Sequence, residues 1–231
     1  MIAPLPLLQE GKQASPMQHA KDPRHRYSSM WILDSSKLNV RLYLFGDAKL
    51  CRAVLAEGDQ SVSHYSFDVP PITFIGAGGR TGTAQADCEF HHVDGQVSQE
   101  TICMNPKANP DDEEKLAALR NAASATGIRY SVFSRSDLKG KEKFIDNWIV
   151  LLGCINRARP DIHPCFAEID ALENCLRLEK QPTLGRLLSI DGIDRARMLA
   201  VIGRALQLGA IRTNLTTALF GRSSIISAAI E

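Results

Sequence analysis

Surplus charge of either sign is nearly absent from this sequence. Lys and Arg number 27 and Asp and Glu 26, a formal net of +1 over 231 residues. No global basic field draws the chain to nucleic acid, so any such contact must come from a local patch. Long apolar runs are missing too. The longest, Trp148 to Ile155, falls far short of the ~20 residues a membrane-spanning helix needs. The first eight residues are apolar but carry Pro4 and Pro6 and no basic n-region, so they do not read as a secretory signal. The cysteines are Cys51, Cys88, Cys103, Cys154, Cys165 and Cys175, and no two form a CxxC pair. That argues against a zinc cluster and for reduced, mostly buried thiols in a cytoplasmic protein. Gly76–Arg80 is glycine-rich, but no Gly-Lys-Ser/Thr follows. This argues for a hairpin turn rather than a phosphate-binding loop.

The remaining composition is that of a globular chain, 44% hydrophobic and 23% charged, with length for one large or two small domains. Residues 1–26 show no period and read as a flexible tail whose end, Lys21–Arg26, is basic. Val40, Leu42 and Leu44 alternate as in a strand. Asp47–Glu57 reads as a helix with Leu50, Val54 and Leu55 on one face. Strand-like segments follow at 64–69, 72–75, 83–90 and 97–104. Asp94-Gly95 between the last two is expected to form a type I′ turn. The acidic run Asp111–Glu114 suits a helix N-terminus, and that helix runs to about Ala125. A strand at 128–133 and a helix at 140–158 complete a mixed sheet flanked by helices, an α/β domain over 27–159.

From Pro164 the pattern is helical. One helix is marked by Phe166, Ile169, Leu172 and Leu176, a second is capped by Thr183, and a third runs from Asp194 to Leu208 and stops at Gly209. Three helices and then an extended segment are the layout of a winged helix-turn-helix, expected over 160–231. Arg197, Ala200 and Arg204 fall on one face of the third helix, with Arg195 in its first turn. Arg212 and Arg222 lie on the candidate wing. These five arginines are the candidate DNA contacts, since guanidinium groups suit phosphate and guanine. A solvated face on a protein-binding module is the other reading of the same stripe.

The central segment carries the most chemistry. Ala86-Asp-Cys-Glu-Phe90, the Asp94-Gly95 turn and Ile102-Cys-Met-Asn-Pro106 have the shape of the hairpin in metal-dependent nucleases of the PD-(D/E)xK type. Together with Lys49–Glu57, Phe67–Pro71 and Pro182–Leu215, the chain resembles the TnsA-like endonuclease subunits of heteromeric transposases over roughly residues 40–225. The resemblance implies a restriction-endonuclease-like domain, a C-terminal winged helix, DNA as ligand, and two partners, a strand-transfer transposase subunit and an ATPase regulator.

It also implies a metal-binding acid at Asp87, but the other active-site positions depart from the pattern. Cys51 stands at the helical Glu, and Cys103 and Asn105 at the acid-x-Lys pair. One carboxylate holds a hard cation poorly. The expectation is therefore a DNA-binding pseudo-nuclease with no cofactor. Two alternatives stand beside it. One is an active Mg2+- or Mn2+-dependent endonuclease with a relocated site built from Asp87, Glu89, Glu57 and Lys107. The other is a protein-interaction module with no nucleic-acid role. His64, His91 and His92 lie near Asp87 in sequence, and a Cys51–Cys103 thiolate pair would favour zinc.

Overall fold

The computed structural model describes residues 29–76, 79–104, 110–158 and 165–229. The expected tail at 1–26 and Lys107 lie outside them. The chain is mixed α/β, and it divides into two compact units. One joins the described residues up to Gln60 to those from Gly140 onward, and the other is Ser61–Lys139.

In the second unit, β3 (Val62–Ser66), β6 (Cys88–His92), β7 (Val97–Cys103) and β8 (Arg129–Ser134) form a sheet in the order β3-β6-β7-β8. The first two pairings are antiparallel and β7–β8 is parallel. A parallel pair needs a crossover, which helix α2 (Pro110–Ala125) supplies. A separate hairpin, β4 (Ile72–Ile75) and β5 (Thr81–Ala84), packs with α2. Val69, Ala84, Ala86 and Leu119 form the small core there. Gly76 N–H donates to Arg80 O at 2.8 Å, so the glycine-rich stretch closes a hairpin, as its sequence suggests.

Two local expectations are corrected. Segment 83–90 is not one strand but β5 and β6, parted at Gln85–Asp87. The Asp-Gly turn is not type I′, which needs positive φ at both central residues. Asn39 is the one non-glycine with positive φ among the described residues, and Gly95 has φ 81°. Gly95 N–H bonds His92 O at 3.0 Å and His92 N–H bonds Gln96 O at 2.8 Å. Val93 and Asp94 therefore make a tight turn with Gly95 left-handed behind it, the three-residue bulged hairpin.

The first unit opens with the hairpin of β1 (Met30–Ser35) and β2 (Val40–Phe45). Helix α1 (Asp47–Gly58) follows it, and α4 (Glu142–Ala158) enters after the short α3 (Arg135–Leu138) of the sheet unit. Next come α5 (Phe166–Leu178), α6 (Leu184–Leu187) and α7 (Arg195–Gln207), then β9 (Ile211–Arg212) paired antiparallel with β10 (Ser227–Ala228). The expected caps form. Thr183 Oγ1 accepts from Arg186 N–H at 3.2 Å, and Asp194 Oδ1 from Arg197 N–H at 2.9 Å. An isolated bridge ties Thr183 to Ile225.

Helix α4 packs along α7 and α1. Trp148, Leu151, Leu152 and Ile155 meet Met198, Ile202 and Leu206 in a core where each is at most 4% exposed. A large apolar side chain buried this completely contributes about 1.5–3 kcal/mol. That packing is why the units divide at 60/61 and 139/140 rather than at the expected break of 159/160, for α4 is held by the C-terminal helices. Gly203 permits the approach: a Cβ there would stand 3.0 Å from Ile155 Cγ1.

Candidate functional site

Asp87 sits half-buried where β6 begins. Its N–H donates to Glu100 O at 2.9 Å, and its Oδ2 accepts from Ile102 N–H at 2.8 Å. The carboxylate thus stands in for a carbonyl of the ladder, completing β7 where regular pairing with β6 stops. One of its oxygens is committed to backbone. Cys103 ends β7, and Asn105 and Lys107 fall outside the described residues. Nearby, Thr101 Oγ1 and the Tyr130 hydroxyl share a hydrogen bond of 2.7 Å, and burial pushes the Tyr130 hydroxyl up.

Glu89 lies on β6 with both carboxylate oxygens engaged. Oε1 is 2.9 Å from His91 Nε2, and Oε2 accepts from Gln99 Nε2 at 2.7 Å. His64, across the strand pair, meets His91 edge-on with ring centroids 5.6 Å apart. Burial, followed by the adjacent His91, lowers the His64 imidazole below its usual range. His92 Nε2 pairs with Ser98 Oγ at 2.8 Å.

Glu57 belongs to the first unit, apart from Asp87 and Glu89 in the chain's division. It is fully buried at the end of α1. Its Oε1 accepts from Ser35 Oγ. Its Oε2 accepts from Ser36 Oγ at 3.0 Å and Gln207 Nε2 at 2.7 Å, with Lys37 N–H at 3.3 Å. Ser35, Ser36 and Gln207 are themselves at most 4% exposed. A buried carboxylate with this many donors is stabilised where it stands. It ties the β1–β2 turn to the ends of α1 and α7. Lys37 Nζ donates to the carbonyls of Ala56 and Asp59, the last acceptors of α1. Burial lowers its ammonium to about 8 against the pull of Glu57 and Asp59.

Among the described residues, no three His, Cys, Asp or Glu side chains converge on one point as they stand. Cys51 is half-buried on α1, where burial and then Asp47 push its thiol up, away from the thiolate.

The arginine stripe is not a solvated face. Ala200, at 6%, and Gly203 are buried. Arg204 turns inward: its Nη1 donates to Gln207 Oε1, and its buried Nε has no partner among the described residues. Burial lowers its guanidinium, with Glu57 opposing. The cause is that α7 is covered on more than the side its large apolar residues mark. Arg197 is half-buried, while Arg195, Arg212 and Arg222 are exposed. Arg195 Nε reaches Leu188 O at 3.2 Å. The loop between β9 and β10 is anchored on α4. Asn147, 3% exposed, donates to Leu215 O and Ala218 O, each at 2.8 Å, and accepts from Phe220 N–H at 2.8 Å.

An open groove of about 490 Å3 between α5 and α6 is lined by Asp170, Asn174, Cys175, Leu178, Arg186 and Asp191 among others. Arg186 is paired there with Glu179 at 2.9 Å, and none of the candidate DNA-contact or metal-binding residues lines it. Sequence reasoning missed the Ser35–Ser36–Gln207 set, Gln99 and Asn147. Asn147 alone left a signal, a polar residue amid the apolar positions of α4. No protein-family model matches the chain, and no curated protein sequence matches it.

Proposed function

We propose that the chain is a DNA-binding, TnsA-like protein of the transposition type, with a restriction-endonuclease-like sheet and a C-terminal winged helix, acting as a scaffold rather than a nuclease. The observation that carries the non-catalytic part is the commitment of the acids. Asp87 completes the ladder through Ile102, and Glu57 is saturated by buried donors. A hard divalent cation needs several free oxygen ligands at once. The nuclease-like reading is supported by a mixed sheet in which Asp87 starts one strand and its neighbour ends at Cys103. The order of α5, α6, α7 and a short strand pair, with the Thr183–Ile225 bridge, supports the winged helix.

DNA contact in this reading falls to Arg195, Arg197, Arg212 and Arg222, and Arg204 is released to the fold. The partners are a strand-transfer transposase subunit and an ATPase regulator. The test is a binding isotherm on duplex DNA over a range of salt. Affinity falls as salt rises, and an Arg195→Ala, Arg212→Ala, Arg222→Ala triple variant flattens that dependence. No binding at low salt, or an unchanged slope, overturns the DNA assignment. Calorimetric Mn2+ titration of wild type and Asp87→Asn gives equal results if the acid is structural. Mn2+ binding that disappears in Asp87→Asn overturns the scaffold reading and restores the endonuclease.

A further inference from the structure

Glu89 and His91 are two apart on β6, so they project from one face of the sheet. His64 on β3 is the register partner of His91, so its side chain rises from the same face directly across the strand pair. A carboxylate and an imidazole at i and i+2, with a second imidazole across the ladder, are a three-point donor set built by the pleat alone. The distances come near that use without reaching it, for the three donors do not converge as they stand. Two ligands of one zinc ion, each ~2.0–2.1 Å from it at a near-tetrahedral angle, sit roughly 3.3 Å apart, and the centroids of two imidazoles on it roughly 5–5.5 Å apart. Glu89 Oε1 and His91 Nε2 are 2.9 Å apart, and the His64 and His91 centroids 5.6 Å.

The carboxylate is also oriented from behind. Gln99 Nε2 holds Glu89 Oε2 at 2.7 Å and leaves Oε1 turned to His91. A partner of this kind fixes a ligand in place. The His91 and Glu89 side chains are 44% and 24% exposed, so an ion has a path in.

We infer that His64, His91 and Glu89 bind one zinc-class transition-metal ion on this face of the sheet. Two imidazoles and one carboxylate select zinc or cobalt over magnesium. His91 and Glu89 are nearly in place, and His64 joins by rotating about its side-chain bonds. Three protein ligands leave a fourth position open. This site shares Glu89 with the relocated nuclease centre expected from sequence but uses neither Asp87 nor Glu57, and it is independent of the DNA-binding reading.

The test is a titration of the full chain, stripped by chelator, with Co2+ read by its visible ligand-field bands, followed by displacement with Zn2+. The expected result is one equivalent bound without a thiolate-to-cobalt charge-transfer band. His64→Ala and His91→Ala each weaken binding by more than about a hundredfold, and Gln99→Leu by about tenfold. No saturable binding, a thiolate band marking cysteine ligation, or affinity unchanged in either histidine variant overturns the assignment. If a histidine variant fails to fold, as read from its melt in chelator, Glu89→Gln decides. Loss of Co2+ binding there supports the site, and full retention overturns it.

Discussion

The side-chain amide of Gln207 donates to the carboxylate of Glu57 at 2.7 Å, across 150 residues of sequence. Both are buried, and the hydroxyls of Ser35 and Ser36 complete the carboxylate's surroundings. Glu57 is therefore a fastener of the first unit. Glu57→Ala strands several buried donors and costs about 3–5 kcal/mol. Glu57→Gln costs less, since the serine hydroxyls can turn to accept from the new amide while Gln207 Nε2 cannot. Urea unfolding measures both, and equal stability of Glu57→Ala and wild type would refute the fastener.

Gly58 lies against the indole of Trp148. A Cβ at this glycine would stand 2.6 Å from Phe144 Cζ and closer still to Trp148 Nε1. Trp148 is 1% exposed and cannot move aside without disturbing Leu151 and Leu152 in the same core. Gly58→Ala is expected to destabilise by about 2 kcal/mol through overpacking. It should also shift tryptophan fluorescence, whereas an unchanged melt and spectrum would mean the indole yields freely.

Asn147 holds the chain at 215–220 by three hydrogen bonds, two given and one received, and Lys143 of the same helix adds a bond from its Nζ to Thr217 O at 2.8 Å. Asn147→Leu keeps the branched shape and removes all three, at a cost of about 3 kcal/mol if the freed backbone groups stay buried. Hydrogen exchange at the Phe220 amide should accelerate more than at α7. Exchange that speeds equally everywhere would point to global destabilisation and not to release of this loop.

Lys37 makes stability depend on alkaline pH. Its ammonium titrates at about 8 in the folded chain against 10.5 ordinarily. Between those values the unfolded chain holds a proton that the folded chain has released, so stability rises with pH across that window. Below about 8 the folded state bears the full cost of the desolvated charge. Lys37→Met should remove this slope. A stability difference between wild type and variant that stays flat from pH 8 to 10.5 would disprove the assignment.

Much of the local structure was legible in the sequence because its causes are local. Thr183 and Asp194 cap the helices they precede, and the alternation of Val40, Leu42 and Leu44 marks β2. The Asp94-Gly95 pair announces a hairpin, although its backbone conformation depended on how β6 and β7 meet. The candidate site was less legible. Asp87 was visible as an acid at a strand start, but its bond to Ile102 arises from where the ladder breaks. Glu89 and His91 were seen in sequence, while the placing of His64 opposite His91 required the strand pairing.

The sequence by itself determined where most of the helices and strands lie and which large side chains seek a core, since period, caps and turns act over a few residues. Tertiary structure alone decided the fate of the charges. Periodicity marked one buried side of α7 through Met198, Ile202 and Leu206. The other side is buried through Ala200 and Gly203, small residues that carry no hydrophobic signal and matter because another helix comes close. That approach turned Arg204 inward and sealed Gln207 against Glu57. Whether a charged side chain meets solvent or a partner depends on what packs against it from far along the chain.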